Sequence, residues 1–252
     1  MKPDVIVTWP TGYDYPWWRW QMTAHRKKFD RIFVVFHHTG RPDFRPFLQK
    51  MFRRVTYLNM PEPGVNWRHI ALNGALQLSK NPWIWLTEMD FLVKEDYFFV
   101  KMFEEAEKCD GIALEAGEKF HPCCTLLRRS TLDKTDIYYD PAYLYDRVGK
   151  VLREACLDHG TVLTWQLKKH GQIKTLKEIG LKAGEDYYHM EDLTHNYDRV
   201  KVGNVSEVSK PKEFLLYNAI TRSVPVPQCK EWLEISHLAD YEMTKVGRFL
   251  NR

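Results

Sequence analysis

The segment WIWLTEMD at residues 83–90 decides how the chain is expected to fold. Its first five residues are apolar or β-branched, which is typical of a buried strand in a parallel sheet. Two carboxylates, Glu88 and Asp90, follow where that strand ends. In extended chain, side chains two residues apart point to the same side, and two such oxygen donors suit Mg²⁺ or Mn²⁺ bridged to phosphates. Exposed carboxylates after a strand are also common without a metal, so the tripeptide alone leaves both interpretations open.

The residues before this segment alternate short β-rich runs with helical patterns, which indicates an open, mainly parallel α/β sheet flanked by helices. Strands are predicted at 4–9, 31–37 and 55–59, with helices at 17–29, 43–52 and 66–80. In such sheets the ligand crevice lies beyond the carboxyl ends of the strands. Residues 9–11, His37 with His38, and 88–90 are therefore expected at one site.

The second half of the chain has a more mixed pattern. Helices are predicted at 97–108, 142–156, 161–170 and 228–249, strands at 111–115, 125–127 and 186–189, and a polar loop at 202–212. We expect one catalytic domain over residues 1–200, with a C-terminal helical extension over 201–252 packed on it.

Composition narrows the class of protein. The 252 residues are 44% apolar, enough for a large core, and the net charge of +4 is too small to establish a polyanionic partner. The sequence has no apolar run of about 18 residues and no secretory signal pattern, so a cytoplasmic protein without membrane contact is expected. Its five scattered cysteines are a poor disulfide framework and favour a reducing compartment. No obligate protein partner is evident.

Several catalytic patterns are absent from the sequence. It contains no G-x-G-x-x-G, Walker or G-x-S-x-G motif, which argues against dinucleotide, P-loop and serine-hydrolase chemistry. The segment HPCC at 121–124 has no second ligand pair at zinc spacing, so buried thiols are the favoured interpretation there.

The stretch from Asn73 to Asp90 resembles GT-A type nucleotide-sugar glycosyltransferases, in which a helix carrying an asparagine precedes a buried strand that ends in D-x-D. Glu88 stands in place of the first Asp. The strand at 5–9 is similar to the family's first nucleotide-contacting strand, and His189 falls where many members have a late metal-ligating histidine. The resemblance covers residues 4–200 and implies a GT-A fold with Mn²⁺ or Mg²⁺ as cofactor.

The resemblance also implies roles for individual residues. Asp90 and His189 would hold the metal, with Glu88 assisting. The nucleotide-sugar donor, with a UDP-sugar favoured, would contact a set at the strand ends and the following loops: Thr8, Trp9, Pro10, His37, Asn66, Arg68, Asn73 and Glu88. Asp158 would accept the acceptor's proton, with Glu191 and Asp192 in reserve. Asp158 is equally well explained as a helix N-cap, and Asn73 as a helix residue bonded to backbone.

The acceptor is the least determined feature. The E-x-D, the run HMEDLTHNY at 189–197 and a basic, aromatic first quarter resemble phage enzymes that glycosylate hydroxymethylated pyrimidines in DNA, hydroxymethylcytosine among them. DNA contacts would then include Trp17, Trp18, Lys27, Lys28 and Arg128. Two alternatives stay open: a saccharide, protein or small-molecule acceptor in the cytosol, and a non-catalytic nucleotide- or nucleic-acid-binding module.

Overall fold

A computed structural model of the chain describes residues 1–10, 25–37, 56–59, 74–89, 91–93, 95–135 and 159–189. Contacts between residues group Met1–Asp14 with Gln21–Tyr188 in one compact unit, and Tyr15–Trp20 with His189–Arg252 in a second. Of the second unit, His189 alone is described, as the last residue of a strand. The predicted domain boundary at residue 200 lies outside the described residues.

The described chain contains nine strands. They are β1 (Asp4–Pro10), β2 (Ile32–His37), β3 (Thr56–Asn59), β4 (Trp83–Glu88), β5 (Phe91–Val93), β6 (Gly111–Ala116), β7 (Lys119–Arg128), β8 (Ile173–Thr175) and β9 (Tyr187–His189). Three α-helices accompany them, α1 (Asp96–Ala106), α2 (Arg129–Leu132) and α3 (His159–His170), with a 3-10 turn at Arg26–Lys28 and a helical segment at 74–78.

Seven strands form the main sheet in the order β3-β2-β1-β4-β7-β6-β8, and β5 pairs with β9 in a second, two-stranded sheet. The pairs β1–β2, β1–β4, β2–β3 and β6–β8 are parallel, whereas β7 runs antiparallel to β4 and β6. The expected open, mainly parallel α/β architecture is thus confirmed.

Helices pack on both faces of the main sheet. Strand β4 directs its apolar side chains alternately to one face and to the other. Ile84 and Leu86 join a core cluster on one face that includes Leu132 of α2 and Leu167 of α3. Trp85 points to the other face, where its ring lies 5.2 Å from that of Phe99 on α1. A strand buried on two sides explains why residues 83–86 are all apolar, without alternation.

One end of the main sheet, which we call the amino edge, carries the first residues of the parallel strands β1, β2 and β4. Asp4 of β1 is fully buried there. Its carboxylate accepts hydrogen bonds from Ser79 Oγ at 2.7 Å and from the Arg31 backbone N–H at 3.2 Å, and Arg31 Nη2 lies 3.3 Å away. These bonds give a buried charge the partners it requires and tie the start of β1 to the segment before β2.

Most predicted elements within the described ranges are confirmed, with small differences in length. Strand β7 is much longer than the predicted 125–127, and the elements β5, β8 and α2 were not predicted at all. Of the helix predicted at 17–29, the described end contains a short 3-10 turn instead of α-helix. Of the helix predicted at 66–80, residues 74–80 are described, and 74–78 are helical. The predictions for 43–52, 142–156, 202–212 and 228–249 fall outside the described residues. Among the described helices, none combines the length and apolar character needed to cross a membrane.

Candidate functional site

The opposite end of the sheet, the carboxyl edge, is formed by the last residues of β1, β2 and β4. Thr8 stands beside Glu88 in the register of β1 and β4, and Pro10 stands beside His37 in that of β1 and β2. The three strand ends therefore meet as the sequence predicts. Thr8 is buried, and Glu88 is half-buried with its Oε1 shielded from solvent. An enclosed carboxylate oxygen at this edge is suited to a cation or a hydrogen-bond donor of a ligand.

Several predicted site residues are only partly described or not described. For Trp9, Pro10 and His37 the strand positions are described but the side chains are not. The remaining predicted residues of the metal, donor, proton-accepting and acceptor sets lie outside the described residues: Trp17, Trp18, Asn66, Arg68, Asn73, Asp90, Asp158, Glu191 and Asp192. Their assigned roles stay predictions.

Strand β7 carries an irregularity at the HPCC segment. Thr125 pairs with Ala113 of β6, but the next pair joins His121 to Leu114, so residues 122–124 stand opposite no residue of β6. Pro122 has no N–H to give to a ladder. The Thr125 hydroxyl closes this bulge by donating to the His121 carbonyl at 2.9 Å. Bulges of this kind redirect side chains and are frequent next to functional sites.

The bulge carries an imidazole and a thiol, from His121 and Cys123. Cys123 is fully buried and His121 is half-buried. The Cys123 backbone N–H donates to His121 Nδ1 at 3.2 Å. The register of β4 and β7 sets Cys124 opposite Thr87, so the bulge lies beside the strand end that carries Glu88. His189, the predicted metal ligand, is the half-buried last residue of β9.

The neighbouring Cys124 has a different environment. It is fully buried, and the indole N–H of Trp85 donates to its sulfur at 3.4 Å. Burial raises the pKa of the Cys124 thiol to about 12, so it stays protonated at neutral pH. The expectation of buried thiols is confirmed for both Cys123 and Cys124.

The described acceptor candidates lie at the amino edge. Lys28 forms an ion pair with Asp96 at 2.9 Å, and its neighbour Lys27 is exposed on the turn that precedes β2. Arg128 pairs in register with Trp83, the first residue of β4, and its guanidinium lies 4.8 Å from the centre of that indole. Glu88 lies at the other end of β4. The structure therefore does not bring these basic residues to the carboxyl edge.

Comparison with known proteins shows a similarity of fold. No protein-family model matches the sequence, and no curated protein matches it either. Among solved structures, S. aureus TarS is 15% identical over 86% of this chain and 43% of that chain, with a TM-score of 0.53. This chain therefore spans less than half of that TarS chain. At such identity the likeness establishes the fold and no more.

Two further solved structures are similar at lower scores. The mannosyltransferase PcManGT from Pyrobaculum calidifontis, in complex with GDP-Man and Mn²⁺, is 12% identical over 100% of this chain and 74% of that chain, with a TM-score of 0.49. A 2-C-methyl-D-erythritol 4-phosphate cytidylyltransferase from Thermus thermophilus is 10% identical over 88% of this chain and 100% of that chain, with a TM-score of 0.48.

Proposed function

We propose that this chain is a glycosyltransferase that uses a divalent cation and transfers a sugar from a nucleotide sugar, a UDP-sugar above all, to a hydroxyl group. The observation that carries the proposal is the register at the carboxyl edge, where Thr8 of β1 stands beside Glu88 of β4. Asp90 follows two residues later in the sequence. In open α/β sheets, ligands bind beyond these strand ends.

Asp90 and His189, with Glu88 assisting, supply the donors that a divalent ion requires in this proposal. Carboxylate oxygens suit Mg²⁺ and Mn²⁺, and the shielded Oε1 of Glu88 offers one such oxygen at the strand end. A bound cation would neutralise the charge that builds on the departing diphosphate. The proposed nucleotide contacts are the predicted residues at and after the strand ends: Thr8, Trp9, Pro10, His37, Asn66, Arg68 and Asn73. Arg68 would bind phosphate oxygens through two guanidinium N–H groups.

The acceptor hydroxyl must lose its proton as it attacks the sugar. Asp158 is the carboxylate we propose for this step, with Glu191 and Asp192 as alternatives. A general base of this kind contributes about 10²–10⁴-fold to the rate when it lies within hydrogen-bond reach.

For the acceptor we propose a 5-hydroxymethylpyrimidine in DNA. The support comes from the HMEDLTHNY run and the basic, aromatic first quarter of the sequence. Lys27, Lys28 and Arg128 lie at the amino edge, away from Glu88, so in this proposal they would contact phosphates outside the target nucleotide. The target base would be turned out of the duplex to reach the carboxyl edge.

The donor half of the proposal is tested by turnover. Release of nucleoside diphosphate is measured with a panel of nucleotide sugars, with and without Mn²⁺, for the wild type, Glu88→Gln and the control Glu104→Gln. Glu104 is an exposed carboxylate on α1. We expect Mn²⁺-dependent release from one nucleotide family, greatly reduced in Glu88→Gln alone. Folded protein that releases no diphosphate from any donor would overturn the proposal.

The acceptor half is tested separately. Sugar incorporation is measured on duplexes containing hydroxymethylcytosine, on matched unmodified duplexes, and on saccharide acceptors. We expect incorporation into the modified duplex only, and Lys27→Glu should weaken DNA binding in a salt-dependent manner regardless of sequence. Incorporation into saccharides alone would replace the DNA acceptor while leaving the transferase in place. DNA or nucleotide binding without any transfer would favour a binding module.

A further inference from the structure

We propose that His121 donates a hydrogen bond from its Nε2 to the diphosphate of the bound nucleotide sugar. This contact rests on the proposed transferase function, and it adds to that site a residue that the sequence did not assign to the donor. Two observations carry it. One is the place of His121 at the carboxyl edge, and the other is the hydrogen bond that fixes which nitrogen of its ring can donate.

His121 lies on the part of β7 that continues past the end of β4. Strand β7 runs antiparallel to β4, and the last pair between them joins Cys124 to Thr87, the residue before Glu88. Residues of β7 that precede Cys124 in the sequence therefore lie further toward the carboxyl edge. His121 is one of them, so it stands beyond the strand end, where ligands bind in open α/β sheets.

The backbone of His121 is held on both sides by contacts of the fold. The preceding residue, Phe120, is buried, and its N–H donates to the Thr164 hydroxyl of α3 at 2.5 Å. On the other side, the Thr125 hydroxyl donates to the His121 carbonyl across the bulge at 2.9 Å. The segment that carries the imidazole is therefore tied to α3 and to the regular part of β7. A ligand that binds this side chain does not have to order the segment first.

The neighbouring Cys123 fixes the hydrogen-bonding role of the His121 ring. Its backbone N–H donates to His121 Nδ1 at 3.2 Å. A nitrogen that accepts a hydrogen bond carries a lone pair and no proton, so the neutral imidazole carries its proton on Nε2. Nε2 is then a hydrogen-bond donor. A donor of this kind suits a ligand oxygen with lone pairs, whereas a metal ion requires a nitrogen without a proton.

The diphosphate is the part of a nucleotide sugar that gains most from such a donor. In the proposed site it lies near the carboxylates of Glu88 and Asp90, and one divalent cation does not cancel two carboxylates and a diphosphate together. An N–H that donates to a charged oxygen forms a bond about twice as strong as one between neutral groups. The fully buried thiols of Cys123 and Cys124 lie next to His121 on the strand, and surroundings of low polarity strengthen the bond further.

Two substitutions of His121 separate contact with the ligand from support of the fold. In His121→Asn the side-chain oxygen can still accept the Cys123 N–H, so the bulge is kept, but the amide N–H is too short to reach the position of Nε2. In His121→Gln the longer side chain brings an amide N–H close to that position. The control is His170→Gln, which changes the half-buried histidine at the end of α3.

The test measures binding to the intact chain by isothermal titration calorimetry in saturating Mn²⁺. The probes are UDP, GDP, CDP and ADP, each compared with its nucleoside. We expect His121→Asn to weaken binding of the preferred diphosphate about 10–100-fold, which is the loss of one hydrogen bond to a charged group. His121→Gln should retain most of the affinity, and His170→Gln all of it. The affinities for the nucleoside and for Mn²⁺ should be unchanged in every variant.

Three results would overturn the contact. Equal diphosphate affinity in the wild type and His121→Asn would reject it and leave the proposed transferase in place. Loss of Mn²⁺ affinity in either His121 variant would make this residue a metal ligand instead. Wild-type protein that binds none of the diphosphates would overturn the proposed function, and this contact with it.

Should His121→Asn fail to fold, ¹⁵N spectra of histidine-labelled wild type decide, with His121→Gln used to assign the signal. We expect the neutral ring of His121 to be protonated on Nε2 alone, and the Nε2 signal to shift when the diphosphate binds. A proton on Nδ1 instead, or no shift on binding, would reject the contact.

Discussion

The two ends of the main sheet differ in what surrounds their carboxylates. At the amino edge, Asp4 is fully buried, and Ser79 and Arg31 donate hydrogen bonds to its carboxylate. At the carboxyl edge, Glu88 is half-buried beside Thr8, and Asp90 follows it in the sequence. The first carboxylate is bound by groups of the fold itself. The second lies where ligands bind in open α/β sheets.

The difference teaches which carboxylate serves the fold and which serves the proposed site. A strand that stops at the end of a parallel sheet carries its final side chains to the ligand crevice. Removing the charge of Asp4 should therefore lower stability and leave turnover unchanged, whereas removing that of Asp90 should lower turnover and leave stability nearly unchanged.

The largest expected effect is that of Asp90→Asn on turnover. Removing one charged ligand of the proposed divalent ion should lower nucleotide-sugar turnover by about 10³-fold, since a bound cation contributes several kcal/mol to the transition state. The free energy of unfolding should be nearly unchanged in the same variant. A large loss of stability would mean that Asp90 serves the fold, which would contradict the comparison. Glu104→Gln is the control for charge removal.

The second largest expected effect is on stability, and it follows from changing Asp4 at the amino edge. Asp4→Asn should lower the free energy of unfolding by about 3 kcal/mol, because it removes the charge that Ser79 and Arg31 bind in a buried setting. Urea unfolding measures this, with the exposed Asp30→Asn as the matched control. Folded Asp4→Asn protein should keep its Mn²⁺-dependent turnover. A specific loss of turnover would show that the amino edge is coupled to the proposed site.

The smallest expected effect is at Glu105, which belongs to neither group of residues compared above. The Glu105→Gln variant therefore serves as a baseline. Hydrogen bonds from Lys108 at 2.9 Å and from Lys174 at 3.0 Å lower the pKa of Glu105 to about 2. A carboxyl group with a depressed folded pKa stabilises the fold above its unfolded pKa and loses that contribution as the pH falls through the folded value. Glu105→Gln should therefore melt slightly below the wild type at pH 7, and the difference should close between pH 4.5 and 2. A difference that persists at the lowest pH of that range would contradict the assignment.

Much of the fold could be predicted from local patterns. The strands β1, β2 and β4 are continuous apolar runs, and parallel pairing brings their ends together, so the neighbourhood of Thr8 and Glu88 follows from the sequence. The extent of β7 could not be predicted, because Pro122 lies inside it and proline argues against an interior strand. Strands β5 and β8 have three residues each, too few for periodicity to register.

The candidate site was predictable to the same extent. Carboxylates two residues apart can be recognised from one segment, whereas the bulge of β7 depends on its pairing with β6. The position of the proposed DNA contacts could not be predicted from their charge: Lys28 and Arg128 lie at the amino edge, where they contact Asp96 and the Trp83 ring. The composition of a segment shows which charges it carries but not where they lie on the sheet.

The most direct test of the proposed function is the thermal stabilisation of the protein by a panel of nucleotides and nucleotide sugars, with and without Mn²⁺. It compares the wild type, Asp90→Asn and Glu104→Gln. We predict a Mn²⁺-dependent rise in melting temperature with one nucleotide family, absent in Asp90→Asn and retained in Glu104→Gln. No rise with any nucleotide, or an equal rise in Asp90→Asn, would contradict a metal-assisted nucleotide-sugar site at the carboxyl edge.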